Sequence, residues 1–439
     1  MSAIQDEISG EVKMQQRSPD GLAQSLVNVN QLGYRMPANM SVVVNRTMSR
    51  SYANLDTYSP GGKIIVTFNT GSTYVWGRTS YLTFDVGITG TGADPLKIIA
   101  SLESGSAINL IDSVTVYSQS GTEVDRTEGV NLHARNQDRY TFAQDWVNNF
   151  GSVIGYGSTE KTGFGTTDPV VITPAASLRF CIPLSHLAGV FGGSVLMPSM
   201  LAGGLRLEIK LAPLAVAFKD NSITTVPDPH AVTNYTVTNA SCQLDTFQLA
   251  DSIQKRLMME AASTGLEFYY ETWDRTRHNI SASDKANITI RKSVARALSA
   301  FAVTRETSKT ASLAEDSMAS ENGANIDGMF WRLGSLTFPQ QKLENTAELY
   351  YYAQRAFQKV ESPYKMNSIS LDDFKGSEAL AAVTLERSNV LELSGLPVNN
   401  SRSLQLELDY SSSANRDIDI FMHYVQLARV FISNVLVKE

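Results

Sequence analysis

The sequence predicts an all-β fold of two tandem sandwiches, and three observations predict it. Short apolar runs with period-two alternation recur along the chain. The clearest is Leu205-Arg206-Leu207-Glu208-Ile209-Lys210-Leu211, in which apolar and charged residues alternate, giving a strand one buried and one wet face. Turn residues separate these runs, and charged residues make up only 18% of the 439, below the usual quarter. The pattern also occurs twice. The first block ends in an apolar strand, a Gly/Pro/Ser loop and LRLEIKL. The second holds Val390-Leu391-Glu392-Leu393, a loop with Gly395, Pro397 and Asn399, and LQLELDY from Leu404 to Tyr410. Two blocks of roughly 170 to 200 residues fit paired sandwiches better than one barrel.

Residues 1–50 mix Gln, Asn, Ser and Met with weak periodicity, and read as an arm that neighbours could order. They hold no apolar run of the kind a secretory signal needs. Strands follow at Lys63–Asn69, Tyr81–Val86 and Ser113–Ser118, each β-branched or aromatic and bounded by turn residues. The segment 129–150 reads as a helical excursion, and 151–176 as a Gly/Thr/Pro loop. From Phe180 to Leu205 there is no Lys, Arg, Asp or Glu. A membrane helix needs about 20 apolar residues, but Gly, Pro, Ser and a His interrupt this run, so it reads as strand, buried loop and strand.

Two Pro, two Asp and a Lys mark 219–233 as a boundary. Further strands are expected at Ser241–Phe247, Leu266–Tyr270, Ala286–Ile290, Ala300–Val303 and Leu404–Tyr410, with one or two more within Ile418–Val437. Asp251–Ala262 reads as a helix, and the polar tract 305–328 as an exposed loop. The chain thus divides into an arm over 1–50, a first sandwich over 51–218, a linker over 219–234 and a second sandwich over 235–439.

The chemistry-bearing residues form no recognisable constellation. His133, His186, His230, His278 and His423 lie outside metal-ligand spacing, and His186 and His423 read as packed or edge residues. Gly189-Val190-Phe191-Gly192-Gly193 lacks the G-K-[ST] of a phosphate loop, no G-x-S-x-G elbow occurs, and Asp112, Asp125 and Asp138 show no facing-carboxylate pattern. No catalytic, cofactor-binding or metal residue is assigned, and no cofactor is expected. Cys181 and Cys242 read as buried free thiols. A net charge of -7 argues against charge-driven or sequence-specific nucleic-acid binding. The clusters Phe268-Tyr269-Tyr270, Phe330-Trp331 and Tyr350-Tyr351-Tyr352 suit core and interface packing, with a carbohydrate or single-strand stacking platform as the alternative.

Three patches carry a family resemblance. The block from Ile182 to Phe218, with Pro183-Leu184, Met197-Pro198 and the alternating Leu205–Leu211, resembles the end of the first jelly roll in double jelly-roll major capsid proteins. These belong to the adenovirus-hexon-like lineage of DNA viruses. Arg332-Leu333-Gly334-Ser335-Leu336-Thr337-Phe338-Pro339-Gln340-Gln341, followed by Glu348–Ala353, is similar to a run in polinton-like capsid proteins. Asp419–Val430 is similar to the family's closing strand. The N-terminal pattern usual in the nucleocytoplasmic large DNA viruses is not seen. The resemblance implies two tandem eight-stranded jelly rolls with short helical insertions, and a structural subunit rather than an enzyme. It implies a homotrimer forming pseudo-hexameric capsomers of an icosahedral virion, beside neighbouring capsomers, penton and minor capsid proteins. Loops 87–109, 151–176 and 305–328 would form towers or intersubunit clasps, and the 1–50 arm would reach under neighbours or toward an inner membrane. A lectin-like or fibre-like binding sandwich is the alternative reading.

Overall fold

The computed structural model describes residues 43–438 except 72, 91–99, 103–105, 157–170, 175–176, 194–203, 221–231, 311, 361–366, 388–393 and 432–434. The chain divides into Met1–Val44, of which only residues 43 and 44 are described, and one compact unit, Asn45–Glu439.

The strands of the first half are β1 (Val43–Tyr52), β2 (Thr57–Tyr58), β3 (Lys63–Phe68), β4 (Tyr74–Val75), β5 (Tyr81–Gly90), β6 (Ala100–Leu102), β7 (Ile111–Ser118), β8 (Glu123–Glu128), β9 (Val171–Ile172), β10 (Leu178–Pro183), β11 (Leu205–Leu211), β12 (Phe218–Asp220) and β13 (Val232–Leu249). One sheet runs β3-β11-β7-β8; the facing sheet runs β1-β13-β5-β10, with β2 and β4 on β13. In β11 the apolar residues point inward and are at most 1% exposed, while Arg206 and Lys210 face water. One core joins both sheets, with Val66, Val116 and Leu207 from the first and Phe84, Ile182 and Tyr235 from the second.

The second half holds β14 (Leu266–Ile290), β15 (Val294–Glu306), β16 (Ile326–Leu333), β17 (Leu336–Leu343), β18 (Ala381–Thr384), β19 (Leu396–Val398), β20 (Leu404–Val430) and β21 (Val435–Lys438). The long strands β14 and β20 pair antiparallel from Leu266↔Val430 to Ile290↔Leu404. Their register breaks between Ile280 and Lys285. There Ala282 takes the left-handed conformation (φ 42°), uncommon outside glycine, and its N–H donates to the Asn415 side chain at 2.8 Å. The break divides each long strand between two sheets. Lys285–Ile290 lies on Leu404–Asp409, followed by β16 and β17; Leu266–Ile280 lies on Arg416–Val430, followed by β15 and β18. Trp331, Leu406 and Ile288 from one face meet Phe301, Ile420 and Val383 from the other in a second core.

Each half therefore contains eight strand segments in the same order. LRLEIKL lies between β3 and β7, and LQLELDY lies between the end of β14 and β16. The two motifs that looked alike in sequence occupy equivalent places. The helices expected within 129–150 and at 251–262 are present as Val130–Thr141 and Asp251–Ser263.

Several expectations need correction. Residues 43–50, placed in the arm, belong to β1. It lacks apolar alternation because it is an exposed edge strand, tied down by the Arg46–Asp245 ion pair. The strand Val232–Leu249 pairs with β5 and closes the first sheet, although the second sandwich was expected to open at residue 235. The proline-rich stretch before it misled because a connection inside a sandwich carries the same turn residues as a linker. Leu266–Tyr270 and Ala286–Ile290 are two ends of one strand. The tract 305–328 is not an exposed loop: Ser317, Met318, Ser320 and Glu321 are buried. Arg305 donates to the Ser317 carbonyl at 2.7 Å, and Arg416 to Glu321 at 3.1 Å. Cys242 is buried and Cys181 half-buried, and both are free. Short strands from three loops, β6, β9 and β12, pair with one another. Most of the 1–50 arm, much of loops 87–109 and 151–176, most of the 219–234 linker, Met197-Pro198, His230 and Val390–Leu393 lie outside the described residues.

Leu207 and Leu406, both fully buried, test the equivalence of the halves. Leu207→Ala and Leu406→Ala are each expected to cost about 2–5 kcal/mol, measured by urea unfolding. A negligible cost for either would contradict its central place.

Candidate functional site at the junction of the two cores

The two sandwiches share apolar contacts, with Tyr270, Ala428 and Val430 of the second half in the first core, and they are also joined by buried polar groups. The helix Val130–Thr141 follows β8 of the first sandwich, and nearly all of it is buried, including His133, Arg135, Asn136, Asp138 and Arg139. A helix this polar would normally lie on a surface. Here its charges have partners across the junction. Arg135 pairs with Glu378 at 3.0 Å and donates to the Met318 carbonyl at 2.8 Å; Arg139 also pairs with Glu378. Tyr140 donates to the Glu378 backbone carbonyl at 2.6 Å. On the near side, Tyr156 donates to Asp138 at 2.7 Å, and His186 lies 3.4 Å from the same carboxylate. Burial depresses the His186 pKa, but Asp138 outweighs it and holds the group above its ordinary value.

A second connection runs from β8 to β14. Thr272 donates to Asp125 at 2.7 Å, and the Val190 N–H donates to the same carboxylate at 2.9 Å. Burial pushes the Asp125 carboxyl up to about 6 against these bonds. Gly189 lets its loop touch β14, since a Cβ there would lie 1.8 Å from the Glu271 carbonyl oxygen. Within the second sandwich, Asp419 sits between Arg275 (2.7 Å) and Arg305 (2.6 Å). Burial pushes the Asp419 carboxyl up, yet the two guanidinium groups hold it below its usual range.

Beside the junction is a cleft of about 300 Å³, lined among others by Arg78, His133, His186, Tyr269, Glu271, Trp273 and His423. Trp273 packs against both His133 (4.4 Å) and His423 (4.3 Å), and His423 pairs with Glu271 at 3.0 Å. His133 also packs against Phe301 and Phe421. Neither of its ring nitrogens has a hydrogen-bond partner. Burial, with His423 and His186 nearby, depresses its pKa to about 3.

The fold thus brings together three histidines that sequence spacing kept apart. Asp112 pairs with Lys210 at 2.8 Å, away from the Asp125 and Asp138 bonds. Of the aromatic clusters, Tyr270 and Trp331 are core residues, while Tyr269 and Tyr351 are exposed. Among the described residues no group of three or more His, Cys, Asp or Glu could hold a metal, and no helix is long and apolar enough to cross a membrane.

Two sandwiches of one strand order, joined in tandem, define a double jelly roll. Solved structures share it along nearly the whole chain. The PBCV-1 capsid quasi-atomic model matches with a TM-score of 0.59 at 11% identity, covering 93% of this chain and 99% of that one. The Faustovirus major capsid protein matches at 0.56 and 8%, covering 90% and 92%. The mavirus major capsid protein matches at 0.52 and 10%, covering 93% and 92%. No protein-family model and no curated sequence matches.

Two outcomes test the junction. Glu378→Gln leaves Arg135 and Arg139 without their carboxylate, and a broken buried pair costs about 3–5 kcal/mol; calorimetry should show a correspondingly lower melting temperature. His133 gives the second. Below pH 6.5 the unfolded chain binds a proton that folded His133 refuses. This group therefore makes stability fall as pH drops from 6.5 toward 3, by up to about 1.4 kcal/mol per unit. His133→Phe should flatten the pH dependence of the urea midpoint over that window, and an unchanged slope would count against a neutral buried imidazole.

Proposed function

We propose that the chain is a major capsid protein, a structural and not a catalytic subunit, which trimerises into pseudo-hexameric capsomers of an icosahedral DNA-virus shell. One observation carries the reading: both halves repeat one strand order, so three copies around an axis present six like sandwiches. The whole-length likeness to viral capsid proteins supports it. Closed rotational symmetry suits such packing.

The surface adds support. β1 ends its sheet among the described residues, and Met48, Tyr52, Leu55 and Trp76 at and near it are exposed. An exposed edge strand with large apolar side chains is a pairing hazard in a free monomer and a usable contact between subunits. In this reading the first jelly roll extends through β13, the helix Asp251–Ser263 joins the rolls, and the second runs from β14 to the C-terminus. Neighbouring capsomers, penton and minor capsid proteins would be the partners, and residues 1–42 would reach under neighbours or toward an inner membrane. The location is the virion.

Mass measurement in solution tests this, with electron microscopy of the same sample. A stable species of three times 48.0 kDa with a six-lobed outline is expected. A monomer at all concentrations would overturn the reading.

A further inference from the structure

We infer that the cleft beside the junction is a binding site for a small uncharged polyhydroxyl ligand of about monosaccharide size. Its volume of about 300 Å³ lies at the small end of ligand clefts, which span roughly 300–1,000 Å³. Two charged side chains of opposite sign line it. Arg78 donates its Nε–H to the Gly192 carbonyl at 2.6 Å. Arg78 and Glu271 line the same cleft, and the Arg78 charge lowers the Glu271 pKa, after the larger effect of His423. Arg78 and Glu271 nonetheless form no ion pair among the described contacts. The cleft presents the Arg78 guanidinium, the Glu271 carboxylate that His423 pairs at 3.0 Å, and His186, so charge of neither sign stands alone to select an ion. It offers donors and acceptors together, which hydroxyl groups satisfy because each both donates and accepts.

A second, independent observation points the same way. His133 is 5% exposed, lines the cleft, and has no partner for either ring nitrogen. Buried polar groups are nearly always hydrogen-bonded, and phenyl and indole rings occupy much of its surroundings. Its depressed pKa keeps it neutral, so it presents one donor and one acceptor, the complement of a hydroxyl. Tyr269, with an exposed ring at the cleft, supplies an apolar face for the carbon side of such a ligand.

The site does not depend on the capsid reading, and its test separates the two. Saturation-transfer NMR on the full chain, in whatever oligomeric state the mass measurement finds, would use methyl glycosides of glucose, galactose, mannose, fucose and N-acetylglucosamine, with sodium sulfate as competitor. At least one glycoside is expected to bind and to resist displacement by sulfate. Glu271→Gln and Arg78→Met should each weaken it about tenfold or more, the usual scale for losing a hydrogen bond to a charged group. Tyr269→Ala, at an exposed position, leaves the core intact and should also weaken it. Melting curves of all three variants confirm that they fold. No transfer to any glycoside, transfer unchanged in all three variants, or displacement by sulfate would each overturn the inference. A trimer that binds no glycoside would overturn this site alone.

Discussion

The structure depends on how buried charge is neutralised between the two sandwiches. Apolar cores attract without direction, so two cores alone would leave the halves free to slide. Glu378 with Arg135 and Arg139, and Asp125 with Thr272 and Val190, allow one arrangement. The effect is asymmetric. An intact buried pair contributes little net stability, whereas a separated one leaves uncompensated charge at a cost of about 3–5 kcal/mol. Misalignment of the halves would separate these pairs.

The cores were legible in the sequence and the junction was not. LRLEIKL and LQLELDY could be read because a half-buried strand writes its burial as period two, and both lie where that pattern puts them. β14 was harder, since its middle, Asp274–Lys285, is polar and holds no buried residue, so no apolar alternation runs through it. Its ends Leu266–Tyr270 and Ala286–Ile290 therefore read as separate elements. β13 was assigned to the wrong half because its Thr, Asn and Gln content and the turn residues before it look like the start of something new. Arg135 and Glu378 are 243 residues apart, and no local pattern announces such a partner. The same holds for His133, His186 and His423, which converge only through tertiary packing.

What is duplicated and what is not separates two roles. The strand order and the alternating central strand recur in both halves, which is what burial of a sandwich core demands. The helical insertions do not match. After β8 the chain forms a buried, charge-bearing helix, whereas after β17 it forms Thr346–Ala356, which packs Leu349 and Ala353 on the second core and exposes Tyr351. The two insertions meet: Tyr140 packs on Phe357 at 5.1 Å, and Ser368 donates to the Arg139 carbonyl at 3.1 Å. The unequal parts are therefore spent on joining the equal ones.

If the chain assembles as proposed, that division explains why a rigid junction would matter. A head-to-tail contact between copies closes into a ring only when the rotation per subunit divides the circle, and otherwise propagates as an open helix. In a chain of two like sandwiches, the angle between them contributes to that rotation. A loose junction would spread it over a range, and closed rings would compete with open chains. Partners with discrete geometry, such as Asp125 between a hydroxyl and a backbone N–H or Glu378 between two guanidinium groups, restrict the angle more sharply than apolar contact does. The buried polar seam is thus the feature that lets two repeated folds act as one body, and a closed assembly requires a body of fixed shape.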